Sequence, residues 1–116
     1  MDAFRHILVV IDAADEQHKA LKRALHMARL SDARLTLFLS IYDFSYEMTT
    51  MLSSEERDVM RSNLIADRRA WLTDVLSEFD TDSVRIDIDV VWHNRPFEAI
   101  IKEAIKHKHD LIIKGT

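Results

Sequence analysis

Phe4–Asp12, "FRHILVVID", is the stretch on which the fold turns. Ile7 to Ile11 is an unbroken run of β-branched and aliphatic side chains, closed by an acid. It has neither the length of a stable helix nor the alternation of a strand with one wet face. Such a run fits a strand covered on both sides, as in a parallel sheet between layers of helix.

Beyond Asp12 the period changes. In "DEQHKALKRALHMARLS" (Asp15–Ser31), Leu21, Ala24, Leu25 and Ala28 fall on one helical face, with Lys19, Lys22, Arg23 and Arg29 around the rest. Asp15 and Glu16 at its start and Arg29 near its end match the helix dipole. "ARLTLFLSIYDF" (Ala33–Phe44) alternates Leu35, Leu37, Leu39 and Ile41 and predicts a second strand. A loop, "SYEMTTML", leads to the capping box Ser53-x-x-Glu56 and a helix of about 25 residues, with Val59, Met60, Leu64, Trp71, Leu72, Val75 and Phe79 as its apolar face.

"VRIDIDVVW" (Val84–Trp92) predicts a third strand. Its Arg85, Asp87 and Asp89 make one face wet and place it at or near a sheet edge. "HNRPFEAIIKEAIKHKH" predicts a third helix with Pro96 at its first position and Phe97, Ile100, Ile101, Ala104 and Ile105 buried. "DLIIK" closes with a fourth strand. The order β-α-β-α-β-α-β defines an α/β fold: an open, mainly parallel sheet with helices on both faces.

The 116 residues suggest one domain. A net charge of −4 argues against a non-specific binder of nucleic acid or of an anionic membrane. There is no cysteine, which excludes disulfides, thiolate-held metals and thiol catalysis. No segment approaches the roughly 20 apolar residues of a spanning helix, and no secretory signal is legible, so a cytoplasmic location is expected. The single glycine, Gly115, leaves no Gly-rich phosphate cradle within these residues.

In such a sheet ligands bind beyond the carboxyl ends of the strands, where strand order reverses. A dinucleotide fold needs glycines after strand 1, and "IDAADEQ" has none; a phospho-accepting receiver needs an aspartate ending strand 3, and "VVWHNRP" has none. An acid after strand 1 and a glycine after strand 4 remain, in Asp12 and Gly115.

These segments resemble the universal stress protein family, in "VVID", "IYDFSYEMTT", "VVWHNRPFEAII" and the closing "HDLIIKGT". The two middle strings are similar to its E-type, tandem-domain branch, in the N-terminal domain. The resemblance implies a fold like that of the adenine-nucleotide α-hydrolases. It implies that the chain is one incomplete domain spanning 1–116, lacking a last strand and helix. It implies a nucleotide site in which Asp12 meets the adenosine, Ile41 leans on the base and Gly115 opens the phosphate loop. Lys114 departs from the apolar residue usual before that glycine.

Each residue also has a plainer reading. Asp12 serves equally as a cap for the next helix, and Ile41 as core. Trp92, His93 and Asn94 could line a crevice, but Asn94 or Arg95 reads first as the cap before Pro96. His107-x-His109 is a weak metal signal that the helix dipole explains, so no metal is expected. Arg68-Arg69 reads as a solvated face. Phe44, Tyr46 and Met48 form either a small satellite core or a lid over an apolar ligand.

No nucleophile–base pair or catalytic acid pair is legible. The expectation is a non-catalytic stress-response binding module that requires no cofactor. The alternatives are an ATP- or ADP-binding protein with at most slow hydrolysis and a carrier of an apolar small ligand. The expected partner is a second copy, or a second domain of the family, on the open sheet edge, giving a dimer or other homo-oligomer.

Overall fold

The structure, a computed structural model, describes residues 4–42 and 52–115. The elements follow in the order β1 (His6–Val10), α1 (Lys19–Ser31), β2 (Arg34–Ile41), α2 (Ser54–Leu76), β3 (Ile86–Trp92), α3 (Pro96–Lys106) and β4 (Leu111–Lys114). The four strands form one sheet in the order β3-β2-β1-β4, all parallel. β1, apolar but for His6, is central, and the half-polar β3 lies on an edge, as its alternation predicts.

Parallel register puts Ile88, Leu37, Val9 and Ile113 in one row across the sheet. That row belongs to the larger core, with Leu21, Ala24, Leu25 and Ala28 of α1 and Leu72 and Val75 of α2. The opposite face pairs Leu8 and Phe38 with Ala99 and Ile100 of α3. Right-handed crossovers account for this division. The connections β1–α1–β2 and β2–α2–β3 step one way, so their helices share a face. β3–α3–β4 steps back across the sheet and puts α3 on the other.

Four expectations from sequence change. The first helix begins at Lys19, not at Asp15, and has no acid in its first turn. His18 takes a left-handed conformation (φ 51°) at its cap, and the Asp15 carboxylate reaches forward to the Lys19 amide at 3.1 Å. Asp12 does not cap this helix: its Oδ1 accepts from the Ala14 amide at 2.9 Å and closes a turn.

In α2 the capping box is present, with Glu56 N donating to Ser53 Oγ and Ser53 N to Glu56 Oε1. Yet only Leu72 and Val75 of its apolar set are buried, and Val59 is 59% exposed. Length explains this. The 23 residues of α2 span ~34 Å at ~1.5 Å each, whereas the seven of β3 span ~23 Å. The helix outruns the strand it packs on, and its first turns pass beyond the core.

In α3 the buried residues are Ala99, Ile100 and Glu103, whereas Phe97, Ile101 and Ile105 are exposed. Spaced four apart, those three form a second row outside the covered arc, and Lys114 Nζ of β4 lies 4.3 Å from the Phe97 ring centroid. Arg95 is the cap before Pro96, but through its backbone position alone.

Candidate ligand-binding site

β1 is flanked by β2 on one side and β4 on the other, so the chain leaves it in one direction and returns on the opposite flank. Loops at such a reversal part and leave a crevice. Two clefts of about 430 Å³ each open there, and both are lined by Ile11 and Asp12.

The first cleft lies between β1, the start of α1 and the end of β4. Its rim carries His18, Lys19 and Arg23 from α1 and its entry, and Lys114 and Gly115 from β4. Asp15 shares it. The Lys19 amide first, with help from that of Gln17, holds the Asp15 carboxyl below its ordinary value against the opposing effect of burial. Asp15 is thus a structural acceptor that pins the α1 entry.

The second cleft lies between the ends of β1, β2 and β3 and the flank of α2. Leu39, Ile41, Tyr42, Leu64 and Trp92 give it apolar and aromatic walls, and Arg68 and Ser40 add polar groups. Tyr42 and Trp92 hold each other with ring centroids 5.6 Å apart. The guanidinium of Arg61 lies 5.8 Å from the Trp92 centroid, and that of Arg68 lies 5.7 Å from Trp71. Asp12 stands where the aromatic cleft and the cationic cleft meet.

The structure therefore brings Asp12, Ile41 and Gly115 to one end of the sheet, with Ile41 in the aromatic lobe and Gly115 in the basic one. Trp92 joins them. His93 and Asn94 do not line either cleft. His93 instead turns back, its Nδ1 accepting from the Arg95 amide at 2.9 Å. Phe44, Tyr46 and Met48, the lid candidates, lie outside the described residues. Arg68, read from sequence as a solvated residue, enters the aromatic lobe. Tyr42, Lys19 and Arg23 carried no separate signal, because their place depends on where α1 starts and β2 ends. Among the described residues, no group of three or more His, Asp or Glu is placed to hold a metal ion. No helix among them is long and apolar enough to cross a membrane.

A four-stranded parallel sheet in this order, with helices on both faces, defines a class of α/β domains, and the similarities fall within one family of it. The chain belongs to the universal stress protein family, whose family model matches residues 3–116. It is 46% identical over 114 residues to Universal stress protein E of Escherichia coli strain K12, covering 98% of this chain and 36% of that protein. It is 32% identical to the Universal stress protein E homolog of Haemophilus influenzae, covering 97% of this chain and 38% of that one. The chain thus spans little more than a third of the length of these relatives. Among solved structures, a universal stress protein family member from Burkholderia pseudomallei superposes with a TM-score of 0.75 at 22% identity, over 97% of this chain and 82% of that one. A universal stress protein in complex with cAMP superposes with a TM-score of 0.59 at 18% identity, over 94% and 70%.

Proposed function

We propose that the chain is a non-catalytic binding module of a cytoplasmic stress-response protein, and that its cleft takes a nucleotide. One observation carries this reading: Asp12 sits at the junction of an aromatic lobe (Ile41, Tyr42, Trp92) and a cationic lobe (Lys19, Arg23). A flat base would bury its faces in the first. Phosphate charge would face the second, with the Gly115 backbone open to close approach because nothing lies within 4 Å of where a side chain would stand. Asp12 Oδ2 is the group placed to accept from a ribose or base between them, since Oδ1 is engaged by Ala14. The cAMP complex of a structural relative supports the same ligand class. The non-catalytic part of the proposal rests on the acids themselves: Asp12 and Asp15 both serve backbone amides, which suits positioning rather than proton transfer.

Isothermal titration of ATP, ADP and cAMP against the protein tests this. Binding in the micromolar range is expected for at least one of them, weakened ~10-fold or more by Asp12→Ala, a loss of ~1.4 kcal/mol. Absence of binding up to millimolar ligand would overturn the nucleotide reading. Release of phosphate from bound ATP at an enzymatic rate would overturn the non-catalytic one.

The outer edge of β4 is the proposed meeting place with a second copy or a second domain of the family. β4 pairs with β1 on one side only among the described residues. Beside it stand Phe97, Ile101, Ile105 and Ile112, between 45% and 73% exposed. An unpaired apolar strand edge favours strand addition. Sedimentation velocity should show a concentration-dependent increase in mass, and a monomer at every concentration would contradict it.

A further inference from the structure

At the end of the sheet opposite the cleft, a polar layer lies beneath α3. His6 opens β1, and its Nε2 lies 2.9 Å from Thr36 Oγ1 of β2. His6 Nδ1 lies 3.1 Å from the carbonyl oxygen of His107. A carbonyl can only accept, so in the neutral ring the proton is on Nδ1 and Nε2 accepts from the threonine. Glu103, buried on α3, meets His107 Nδ1 through Oε1 at 2.7 Å and, second to burial, acts to raise the Asp89 carboxyl of β3 above its ordinary value. His109 completes the layer. Its ring packs tilted against that of His6, with centroids 3.8 Å apart and 42° between the planes, and meets His107 edge-on at 6.2 Å. Both of its ring nitrogens are shut from solvent without a hydrogen-bond partner of good geometry.

The turn carrying His109 is also the hook between α3 and β4. The His107 carbonyl receives His6, Asp110 N donates to His6 O at 3.0 Å, and the Asp110 carboxylate receives the amides of Arg5 and His6 at 2.8 and 3.1 Å. Lys108 turns the chain in a left-handed conformation (φ 53°). Beyond the β1–β4 ladder that begins at Ile7 and Leu111, the hydrogen bonds that tie this turn to the start of β1 thus come from residues flanking His109.

We propose that this layer is a proton-operated latch: the neutral His109 ring, seated on His6, clamps the α3–β4 turn to the sheet, and a proton taken up by that ring releases it. The charged ring needs acceptors for two N–H groups; the Glu103 backbone oxygen favours it, but neither ring nitrogen has a hydrogen-bond partner of good geometry. His6 of β1 faces it with ring centroids 3.8 Å apart and repels it once both carry charge. Among the remaining facing groups, Glu103 is attractive but already engaged by His107 and Asp89. His107 adds repulsion, and the Asp110 carboxylate is held by backbone amides. From α2, Arg69 acts on Asp89. Burial first, and His6 second, push the His109 ring below its ordinary value of 6.5. The neutral form is therefore the folded one. Its stabilisation is complete above 6.5 and is lost as pH falls through the lowered value.

The test uses the full-length protein. In NMR titration of the histidine rings, His109 is expected to titrate below the ordinary histidine value. Amide exchange of the 104–110 segment, corrected for intrinsic rates, is expected to rise ~10-fold between pH 7.5 and pH 5.5, reporting a local opening. His109→Phe keeps the ring and removes the proton site, so this acceleration should vanish in it. A His109 ring that titrates at or above the ordinary value would overturn the latch. Equal acceleration in His109→Phe and wild type would do the same. Should the variant fail to fold, the ring titration of the wild type decides alone.

Discussion

Asp89 faces α3 in register with Phe38, on the face that holds Leu8. Burial first, then the hydrogen bond and charge of Glu103, raise its carboxyl above the ordinary 3.8. The sign follows. A raised folded value means that Asp89 contributes most below 3.8, and that its contribution is lost as pH climbs through the folded value. Asp89→Asn keeps a donor to Glu103 and removes the charge. It should therefore stabilise the protein at pH 7 by ~0.5–1 kcal/mol after solvent screening, and the gain should disappear near pH 4. Urea midpoints at the two pH values measure both. Asp15 and Asp110 have the opposite sign. At Asp110 partial burial pulls upward, but the amides of Arg5 and His6 prevail, and both carboxyls titrate below 3.8. Their contribution is present above that value and is lost as pH falls beneath it, so neither interferes with the latch.

Within α2 the same residue types count differently at the two ends. Leu72 is fully buried and Val59 is 59% exposed. Leu72→Ala should cost ~2–5 kcal/mol and Val59→Ala within ~0.5 kcal/mol, both read from denaturant midpoints. Ser53→Ala removes the cap and should cost ~1 kcal/mol, with faster amide exchange confined to the first turn. Periodicity reported the existence of each helix and strand, because apolar spacing is a property of the element itself. It could not report how much of an apolar face meets a sheet. That depends on the length of the partner, as in α2, or on which strands lie beneath, as in α3, where Phe97, Ile101 and Ile105 fall beyond the covered arc. The start of α1 was misplaced for a related reason: Asp15 holds the Lys19 amide from outside the helix, so acids that read as a first turn belong to the loop before it.

For the molecule as a whole, the parallel sheet follows from the alternation of strands with helices, and the division of the helices between its faces follows from right-handed crossovers once the strand order is given. Asp12, Ile41, Trp92 and Gly115 were found as candidates because they end strands, and parallel strands end together. The cationic rim was not legible, since Lys19 and Arg23 reach the cleft only because α1 begins late. On the outer edge, Ile112 pairs with Leu8 and is 45% exposed. Ile112→Lys should leave the midpoint within ~0.5 kcal/mol of wild type while abolishing concentration-dependent association in sedimentation, because a lysine blunts an edge strand. The central place of β1 also sets an order in time. β1 is translated first, and β2, α1, α2 and β3 can assemble on one side of it as they emerge. Its other side waits for β4, whose Asp110 bonds Arg5 across 105 residues of chain. Closing so long a loop is slow. During synthesis the nascent domain therefore carries a bare flank on its own central strand until the end of this sequence leaves the ribosome, and that interval is when a chaperone, or a neighbouring chain, has most to bind.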